Sequence, residues 1–293
     1  MSGAAGYGDL LDALRGVTWP ARRATRGSTS GTHRSRLRGV SPEFTEYRPY
    51  RQGDDPGRLD WRLLARTNRA YLRITSDRAT LSTLVLVDAS ASMAFPEKSL
   101  GKWNHARQLA IGLTSIAHAS GDPVAVGVVT PHGTVRTAPR TRRGVVTECA
   151  RVLDAATPNG EVDLSAAMHD AHAARRIVVI SDFLGDLAPV LKPAHALLGE
   201  GGEVVAVHVV AREELSPSSD AILATDPERD EIRRALTPDT ATAYAREFAE
   251  WREWLAREWR GAGAQYEMTV TDEPADRVVR RIARGEREGE KAS

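Results

Sequence analysis

The sequence is poor in cysteine, which limits where the protein works and what chemistry it performs. Cys149 is the only cysteine among 293 residues, so no disulfide can form within the chain. The lack of disulfides is typical of a reducing compartment, and we expect a cytoplasmic protein. Cys149 lies in a helix-like run, which predicts a small core residue and not a nucleophile.

Long apolar runs are also missing. No stretch of about 18 apolar residues occurs, so we expect no membrane-spanning helix. The first residues, Met1–Ala5, lack the basic and apolar regions of a signal peptide. Apolar residues make up 41% of the chain and charged residues 27%, which is typical of a soluble globular protein with a sizeable core.

Lysine is scarce, and the positive charge is unevenly distributed. Lysine occurs only at positions 98, 102, 192 and 291, so arginine supplies nearly all of the positive charge. Residues 1–80 carry 15 arginines and 8 acidic residues, a formal net charge of +7, whereas the whole chain has +1. The basic N-terminal third therefore suits an acidic partner or a nucleic acid.

The order of the apolar segments predicts an α/β fold. After the first third of the chain, short branched apolar strands alternate with helical patterns, which is typical of a doubly wound, mostly parallel sheet. We predict a flexible basic arm over 1–30, a loop-rich layer over 31–80, and the main domain over 81–285. Within this domain, we predict that residues 211–238 form an irregular excursion. The charged composition of residues 286–293 predicts a disordered tail.

One predicted strand ends in a group of oxygen-bearing side chains. The apolar run Leu81–Val87 predicts a buried strand, and Asp88, Ser90 and Ser92 follow it. Ligands of open parallel sheets bind beyond the carboxyl ends of the strands. One carboxylate and two hydroxyls are hard oxygen ligands, which suit Mg²⁺ or Mn²⁺. The alternative is structural, with Asp88 capping a helix and the serines forming a turn.

This pattern resembles the metal-ion-dependent adhesion site of von Willebrand factor A domains, which has D-x-S-x-S, then a Thr and then an Asp on separate loops. The resemblance implies Asp182, which follows the predicted strand Arg176–Ile180, as the last carboxylate. It aligns Val162 with the threonine, and valine cannot bind a metal. Two alternatives stay open: Asp163 or Glu161 completes a site for Mg²⁺ or Mn²⁺, or the site is degenerate.

A second motif lies in the loop-rich layer and is more specific. The run Phe44–Arg66 resembles the F-x-x-x-R-x-Y-x-x-G-D-x-x-R-x-x-D-W-x-x-x-A-R signature of the domain of unknown function 58 family, with one extra residue around Asp55–Gly57. The matching residues, in order, are Arg48, Tyr50, Gly53, Asp54, Arg58, Asp60, Trp61, Ala65 and Arg66. In that family the signature precedes a von Willebrand A-like domain, which has a Rossmann-like sheet, and the same order is found here.

The residue types of the signature favour a structural role. Alternating arginine and aspartate predict charge-assisted hydrogen bonds that brace the loops, and Tyr50 and Trp61 would add apolar area. The alternative is that Asp54, Asp55 and Arg66 face a partner or approach the metal-site side.

The resemblance implies a non-enzymatic interaction module. Members of the family resemble proteins found beside MoxR-type AAA+ ATPases, which implies an adaptor between such an ATPase and a client protein. A metal-dependent hydrolase is one alternative, but the chain has no G-x-S-x-G, H-E-x-x-H or P-loop motif. Nucleic-acid binding through Arg15–Arg38 is another, although Trp19 is the only aromatic residue there. His169 and His172 have zinc-like spacing but no evident third ligand, which predicts a solvated helix face.

Overall fold

The computed structural model describes residues 5–22, 30–34, 46–51, 54, 57, 59–74, 78–215, 223–225, 233–235 and 238–285. The chain divides into two compact units. The larger unit consists of Met1–Pro20 and Ser82–Ser293, and the smaller unit consists of Ala21–Leu81.

The described part of the chain contains nine α-helices and twelve strands, distributed over the two units. In chain order, the α-helices are α1 (Gly8–Ala13), α2 (Trp61–Thr67), α3 (Gly101–Ala119), α4 (Val145–Ala155), α5 (Leu164–His169), α6 (Leu187–Gly199), α7 (Arg212–Leu215), α8 (Pro238–Gly261) and α9 (Ala275–Arg284). The strands are β1 (Ser30–Arg34), β2 (Glu46–Pro49), β3 (Tyr71–Ile74), β4 (Arg78–Ala79), β5 (Thr83–Asp88), β6 (Val124–Thr130), β7 (Gly133–Arg136), β8 (Arg176–Ser181), β9 (Glu203–Val210), β10 (Leu223–Thr225), β11 (Arg233–Ala235) and β12 (Gln265–Val270).

A six-stranded sheet forms the centre of the larger unit, in the order β12-β9-β8-β5-β6-β7. All neighbours are parallel except β6 and β7, which form an antiparallel pair at one edge. Every residue of β5, β8 and β9 is buried, which explains their continuous runs of branched apolar residues. The predicted doubly wound, von Willebrand A-like sheet is confirmed.

The strand order places a topological switch point between β5 and β8. The chain runs outward from β5 to β6 and β7, and then crosses to β8, β9 and β12 on the other side. The loops that follow β5 and β8 therefore lie side by side at the carboxyl edge of the sheet, where open α/β sheets form a crevice.

Two apolar cores cover the two faces of the sheet. Alternate residues of β5 divide between them: Val85 and Val87 contact one core, whereas Leu84 and Leu86 contact the other. The first core packs against α3, α4 and α9, and the second packs against α5, α6 and α8. Cys149 lies fully buried in the first core, where burial raises the pKa of its thiol, so it has the environment of a core residue.

The N-terminal segment differs from the flexible arm that we predict over 1–30. Tyr7, Leu14 and Trp19 are buried in the first core. The Tyr7 hydroxyl donates a 2.8 Å hydrogen bond to Asp154, and the Arg176 guanidinium lies 4.1 Å from the centre of the Trp19 ring. These aromatic side chains bury apolar surface that holds the described residues 5–20 against the first core, despite the polar composition of this stretch.

The smaller unit contains two short antiparallel pairs, β1 with β4 and β2 with β3, and the helix α2. Asp60 caps α2 by accepting a 3.0 Å hydrogen bond from Leu63 N, and Asp54 accepts a 2.8 Å bond from Arg51 N. Trp61 is 63% exposed, so it does not supply the buried bracing area that we predict for it.

The remaining signature residues and segments have the following places. Tyr50 N donates to Ala70 O, and Arg66 lies exposed in the last turn of α2, where a cation complements the helix dipole. Arg48 lies on β2, whereas Gly53, Asp55 and Arg58 lie outside the described residues.

The predicted excursion 211–238 includes α7 and an antiparallel pair of β10 and β11, and the predicted tail lies outside the described part of the chain. No helix in the described ranges is long and apolar enough to cross a membrane.

Candidate functional site

The Asp88 carboxylate joins the two loops of the crevice. Asp88 is the last residue of β5, and its Oδ1 accepts a 2.7 Å hydrogen bond from Ser90 N, which fixes an Asx-type turn. Its Oδ2 accepts a 2.6 Å bond from the hydroxyl of Ser181, the last residue of β8. One carboxylate therefore fixes the turn after its own strand and the end of the neighbouring strand.

The two serines of the first motif lie together beside Asp88. The Oγ atoms of Ser90 and Ser92 are 3.0 Å apart, and both residues are buried. Ser90 precedes a short 3₁₀ turn over Ala91–Ala94, which returns the chain towards α3. The structure thus brings Asp88, Ser90 and Ser92 together, as the sequence predicts.

Asp182 lies next to this group but has a partner that the sequence analysis does not predict. Lys102 Nζ lies 2.7 Å from Asp182 Oδ2 and 2.8 Å from Glu214 Oε1. Lys102 is 1% exposed and is the second residue of α3. A cation near the amino end of a helix is unfavourable because it opposes the helix dipole. A lysine at this position, in a chain with few lysines, is the one sequence feature that could have indicated a nearby group of carboxylates.

The electrostatics of the crevice are dominated by buried charge. Burial and the nearby charge of Asp182 raise the pKa of the Asp88 carboxyl to about 6, against the lowering effect of its hydrogen bonds from Ser181 and Ser90. Burial alone would lower the pKa of Lys102, but Asp182 and Glu214 outweigh burial and raise it. The ammonium therefore stays charged, and the crevice holds three carboxyl groups for one cation.

The loop that the resemblance assigns to the threonine lies in the implied place. Asn159 N donates to Ala89 O at 2.9 Å, and Ala91 N donates to Gly160 O at 2.8 Å. Val162 is half-buried and packs against the second core. Its side chain has no oxygen or nitrogen atom, so it provides no ligand.

Both acidic residues of this loop are exposed. Asp163 is exposed, and its Oδ1 accepts a 2.9 Å hydrogen bond from Ala166 N as the N-cap of α5. Glu161 is also exposed. Asp163 has the capping role that is common for an aspartate before a helix.

The residues present do not fit the complete metal site that the resemblance implies. Mg²⁺ requires a nearly octahedral shell of oxygen ligands. Asp88, Ser90 and Ser92 offer such atoms from one loop, but Asp182 is already paired with an ammonium and Val162 replaces the threonine. Within the described residues, which include His169 and His172, no group of three or more His, Cys, Asp or Glu side chains could hold a metal.

Backbone strain accompanies the site. Phe183, which directly follows Asp182, has a φ of 53°, in the left-handed region that bulky residues rarely occupy. Its buried ring packs at 5.3 Å from the Trp259 ring and 6.1 Å from the His208 ring, which holds this conformation. The next residue, Leu184, is 47% exposed. Strain of this kind clusters at functional sites.

A buried aromatic layer lies behind the crevice. His208 Nδ1 is 2.6 Å from the Tyr266 hydroxyl, and burial lowers the pKa of His208 to about 3 despite the attraction of Asp182. The Trp251 ring meets His208 edge-on at 5.4 Å. The second buried histidine, His105, pairs with Thr269 Oγ1 at 2.9 Å. Both histidines are neutral structural groups at pH 7.

Comparisons with known proteins give one family and several similar chains. The profile of the family described as "Protein of unknown function DUF58" matches residues 46–253. An uncharacterised protein of Mycobacterium tuberculosis is 28% identical over 273 residues, which cover 90% of this chain and 85% of that protein.

The solved structures that superpose on this chain have low sequence identity with it. An aerotolerance-related membrane protein from Bacteroides fragilis has a TM-score of 0.47 at 17% identity and covers 70% of this chain and 98% of its own. BatB from Bacteroides thetaiotaomicron has the same score and coverage at 16% identity. A von Willebrand factor type A structure from Catenulispora acidiphila has a TM-score of 0.41 at 12% identity, over 72% of this chain and 43% of its own.

Proposed function

The chain belongs to the DUF58 family, and from this membership and the geometry of its crevice we propose that it is a non-enzymatic protein-interaction module. Its partner docks over the loops that follow β5 and β8. The proposed partner is a MoxR-type AAA+ ATPase, which the module links as an adaptor to a client protein. A reducing cytoplasm is the proposed location, because the single cysteine, Cys149, is buried and unpaired.

The observation that carries this proposal is the exposed Leu184 beside a buried polar cluster at the switch point. Leu184 N donates to Asp182 Oδ1 at 3.4 Å, so the backbone at Leu184 is tied to the cluster while the residue is 47% exposed. The strained Phe183 immediately before it is held by buried ring contacts. A rigid, exposed apolar residue on a preformed loop is a suitable anchor for a protein partner.

We further propose that this crevice is a degenerate form of the metal-ion-dependent adhesion site. Asp88, Ser90 and Ser92 retain the first motif, and they are the residues that would contact Mg²⁺ or Mn²⁺. The absence of a ligand at Val162 and the pairing of Asp182 with Lys102 support degeneracy. Partner capture then depends on the shape and charge of the loops.

The docking surface can be tested with two exposed apolar residues of the same sheet. Val135 is 57% exposed on the edge strand β7, three strands away from β8, about 14 Å at the usual strand spacing. Leu184→Asp and Val135→Asp thus introduce the same charge at and away from the crevice. Binding to the purified MoxR-type ATPase from the same genome would be measured by surface plasmon resonance.

We expect Leu184→Asp to weaken this binding at least tenfold, which corresponds to about 1.4 kcal/mol, whereas Val135→Asp leaves it unchanged. Circular dichroism melting of both variants checks that each is folded. Equal binding by the natural protein and folded Leu184→Asp would contradict docking at the crevice. If the natural protein does not bind the ATPase at all, the proposed partner is wrong.

The two other functions receive no comparable support. For a hydrolase, Ser90 would need a base, and the buried histidines instead pair with Thr269 and Tyr266. For nucleic-acid binding, Arg15 pairs with Asp12 at 2.8 Å within a segment that packs on the main unit.

A further inference from the structure

We propose that Lys102 is the resident cation of the crevice. Its ammonium supplies the positive charge that a divalent metal supplies in an adhesion-type site, so the loops keep their arrangement without a metal. This inference deepens the proposed function and rests on it only for the partner-binding measurement below.

The geometry around Lys102 is that of an enclosed cation site. Its Nζ contacts Asp182 Oδ2 at 2.7 Å and Glu214 Oε1 at 2.8 Å, and the residue is 1% exposed. The Phe95 ring centre is 5.8 Å from Nζ, within the range of a cation–π contact. Two carboxylates and one ring, from three separate segments, therefore surround one ammonium.

The same contacts oppose a metal at Asp182. An ammonium is a compact point charge, and a divalent ion beside it would be strongly repelled in a buried environment. The Asp182 oxygen nearest to Lys102 is occupied by a charge-assisted hydrogen bond, which is shorter and stronger than a neutral one. A metal would have to displace Lys102 before it could bind Asp182 Oδ2, and at Oδ1 it would lie close to the same ammonium.

Direct protein hydrogen bonds join the three loops of the crevice. Asp88 accepts from Ser181 at 2.6 Å, which joins the ends of β5 and β8. The bonds Asn159 N to Ala89 O and Ala91 N to Gly160 O join the third loop to the first. With these bonds in place, the threonine ligand is dispensable, which agrees with an apolar Val162 packed into the core.

Lys102 also connects the crevice with the segment that follows β9. Glu214 lies on α7, and its second oxygen, Oε2, accepts a 2.7 Å hydrogen bond from Ala211 N. Removal of the ammonium would leave two buried or half-buried carboxylates near each other without their cation. A small divalent ion is the ligand that such a pair would then attract.

Four proteins separate the roles of lysine and valine: the natural chain, Val162→Thr, Lys102→Met and the double variant. Lys192→Met is the matched control, because Lys192 is exposed on α6. Each would be titrated with MgCl₂ and MnCl₂ by calorimetry. Each would also be melted with and without the metal, after treatment with a chelator.

We expect no heat of binding and no metal-dependent shift in melting temperature for the natural chain, Lys192→Met and Val162→Thr. Lys102→Met should melt several degrees lower, and Mn²⁺ should recover part of that loss, most fully in the double variant. Metal binding by the natural chain would overturn the inference. So would equal binding by Val162→Thr and the double variant, because valine alone would then be the obstacle. If Lys102→Met fails to fold, metal binding by Val162→Thr alone would overturn the inference, because a valine and not the ammonium would then be the obstacle.

Partner binding distinguishes this inference from the proposed function. Binding of the ATPase in chelator-treated buffer, unchanged on addition of Mg²⁺ to the module, supports both. Binding that requires metal on the module overturns the role of Lys102 and leaves the docking role standing. The absence of binding in either buffer overturns the docking role, and the calorimetry and melting data then decide the role of Lys102 alone.

Discussion

The buried histidines predict a specific loss of stability in mild acid. Burial lowers the pKa of His208 to about 3 and that of His105 to about 4, from the ordinary value of 6.5. The unfolded chain therefore binds more protons than the folded chain below pH 6.5, and stability falls as the pH falls. Each histidine contributes a loss that approaches about 1.4 kcal/mol per pH unit, or about 2 kcal/mol in total between pH 7 and pH 5.

Asp88 acts in the opposite direction. The pKa of the Asp88 carboxyl is raised to about 6 from the ordinary 3.8, so on acidification the folded chain protonates this carboxyl before the unfolded chain does. This difference adds about 1 kcal/mol to the free energy of unfolding between pH 7 and pH 5. The net loss expected from the three groups is about 3 kcal/mol. Urea unfolding at both pH values, with the free energy of unfolding extrapolated to water, measures this difference.

A histidine variant isolates the effect of one group. In His208→Asn, the amide can still reach the Tyr266 hydroxyl but cannot titrate, so the loss between pH 7 and pH 5 should shrink by about 2 kcal/mol. His132 is exposed, and His132→Asn should show the full loss. The same pH dependence in His208→Asn and the natural chain would refute the assignment of His208 as a buried neutral group.

Three further predictions concern packing, capping and the cysteine. Trp19→Ala should lower the free energy of unfolding, measured with urea, by about 3 kcal/mol because Trp19 is 1% exposed. Trp61 is 63% exposed, so Trp61→Ala should lower it by less than about 0.5 kcal/mol. Similar losses in the two variants would contradict the packing of the N-terminal segment. Asp163→Ala should lower the free energy of unfolding by about 1 kcal/mol because the N-cap hydrogen bond of α5 is lost. The heat measured on titration with Mg²⁺ or Mn²⁺ should be unchanged in this variant, and a change would make Asp163 a metal ligand. Cys149 should react with a thiol reagent only as the chain unfolds, and fast labelling of the folded protein would show that it is accessible.

The fold could be predicted because the sheet is encoded by local patterns. The predicted strand Leu81–Val87 corresponds to β5 over Thr83–Asp88, and Arg176–Ile180 corresponds to β8 over Arg176–Ser181. Strands that are buried on both faces leave a continuous run of branched apolar residues, which a sequence shows directly. Asp88 could be placed for the same reason, because it directly ends such a run.

The cation cluster could not be predicted because its members are far apart in the sequence. Lys102 is 80 residues from Asp182 and 112 residues from Glu214. No local pattern links these positions, and only the order of the strands brings them to one edge of the sheet. The burial of Trp19 and Tyr7 could not be predicted for a related reason: both are isolated aromatic residues in a polar segment, and their burial depends on distant helices.

The two ends of β8 connect the stability of the sheet with the geometry of the crevice. Arg176 is fully buried, faces Glu203 across the β8–β9 pair and lies 2.9 Å from its carboxylate. A slip of one residue would turn the side chains of β8 to the other face and separate this buried pair, so the pair specifies the register. The β5–β8 register, in which the same Arg176 pairs with Thr83, carries Ser181 to within 2.6 Å of Asp88 and delivers Asp182 next to it. A buried ion pair at the amino end of the strand therefore helps to determine which residues meet at the carboxyl end.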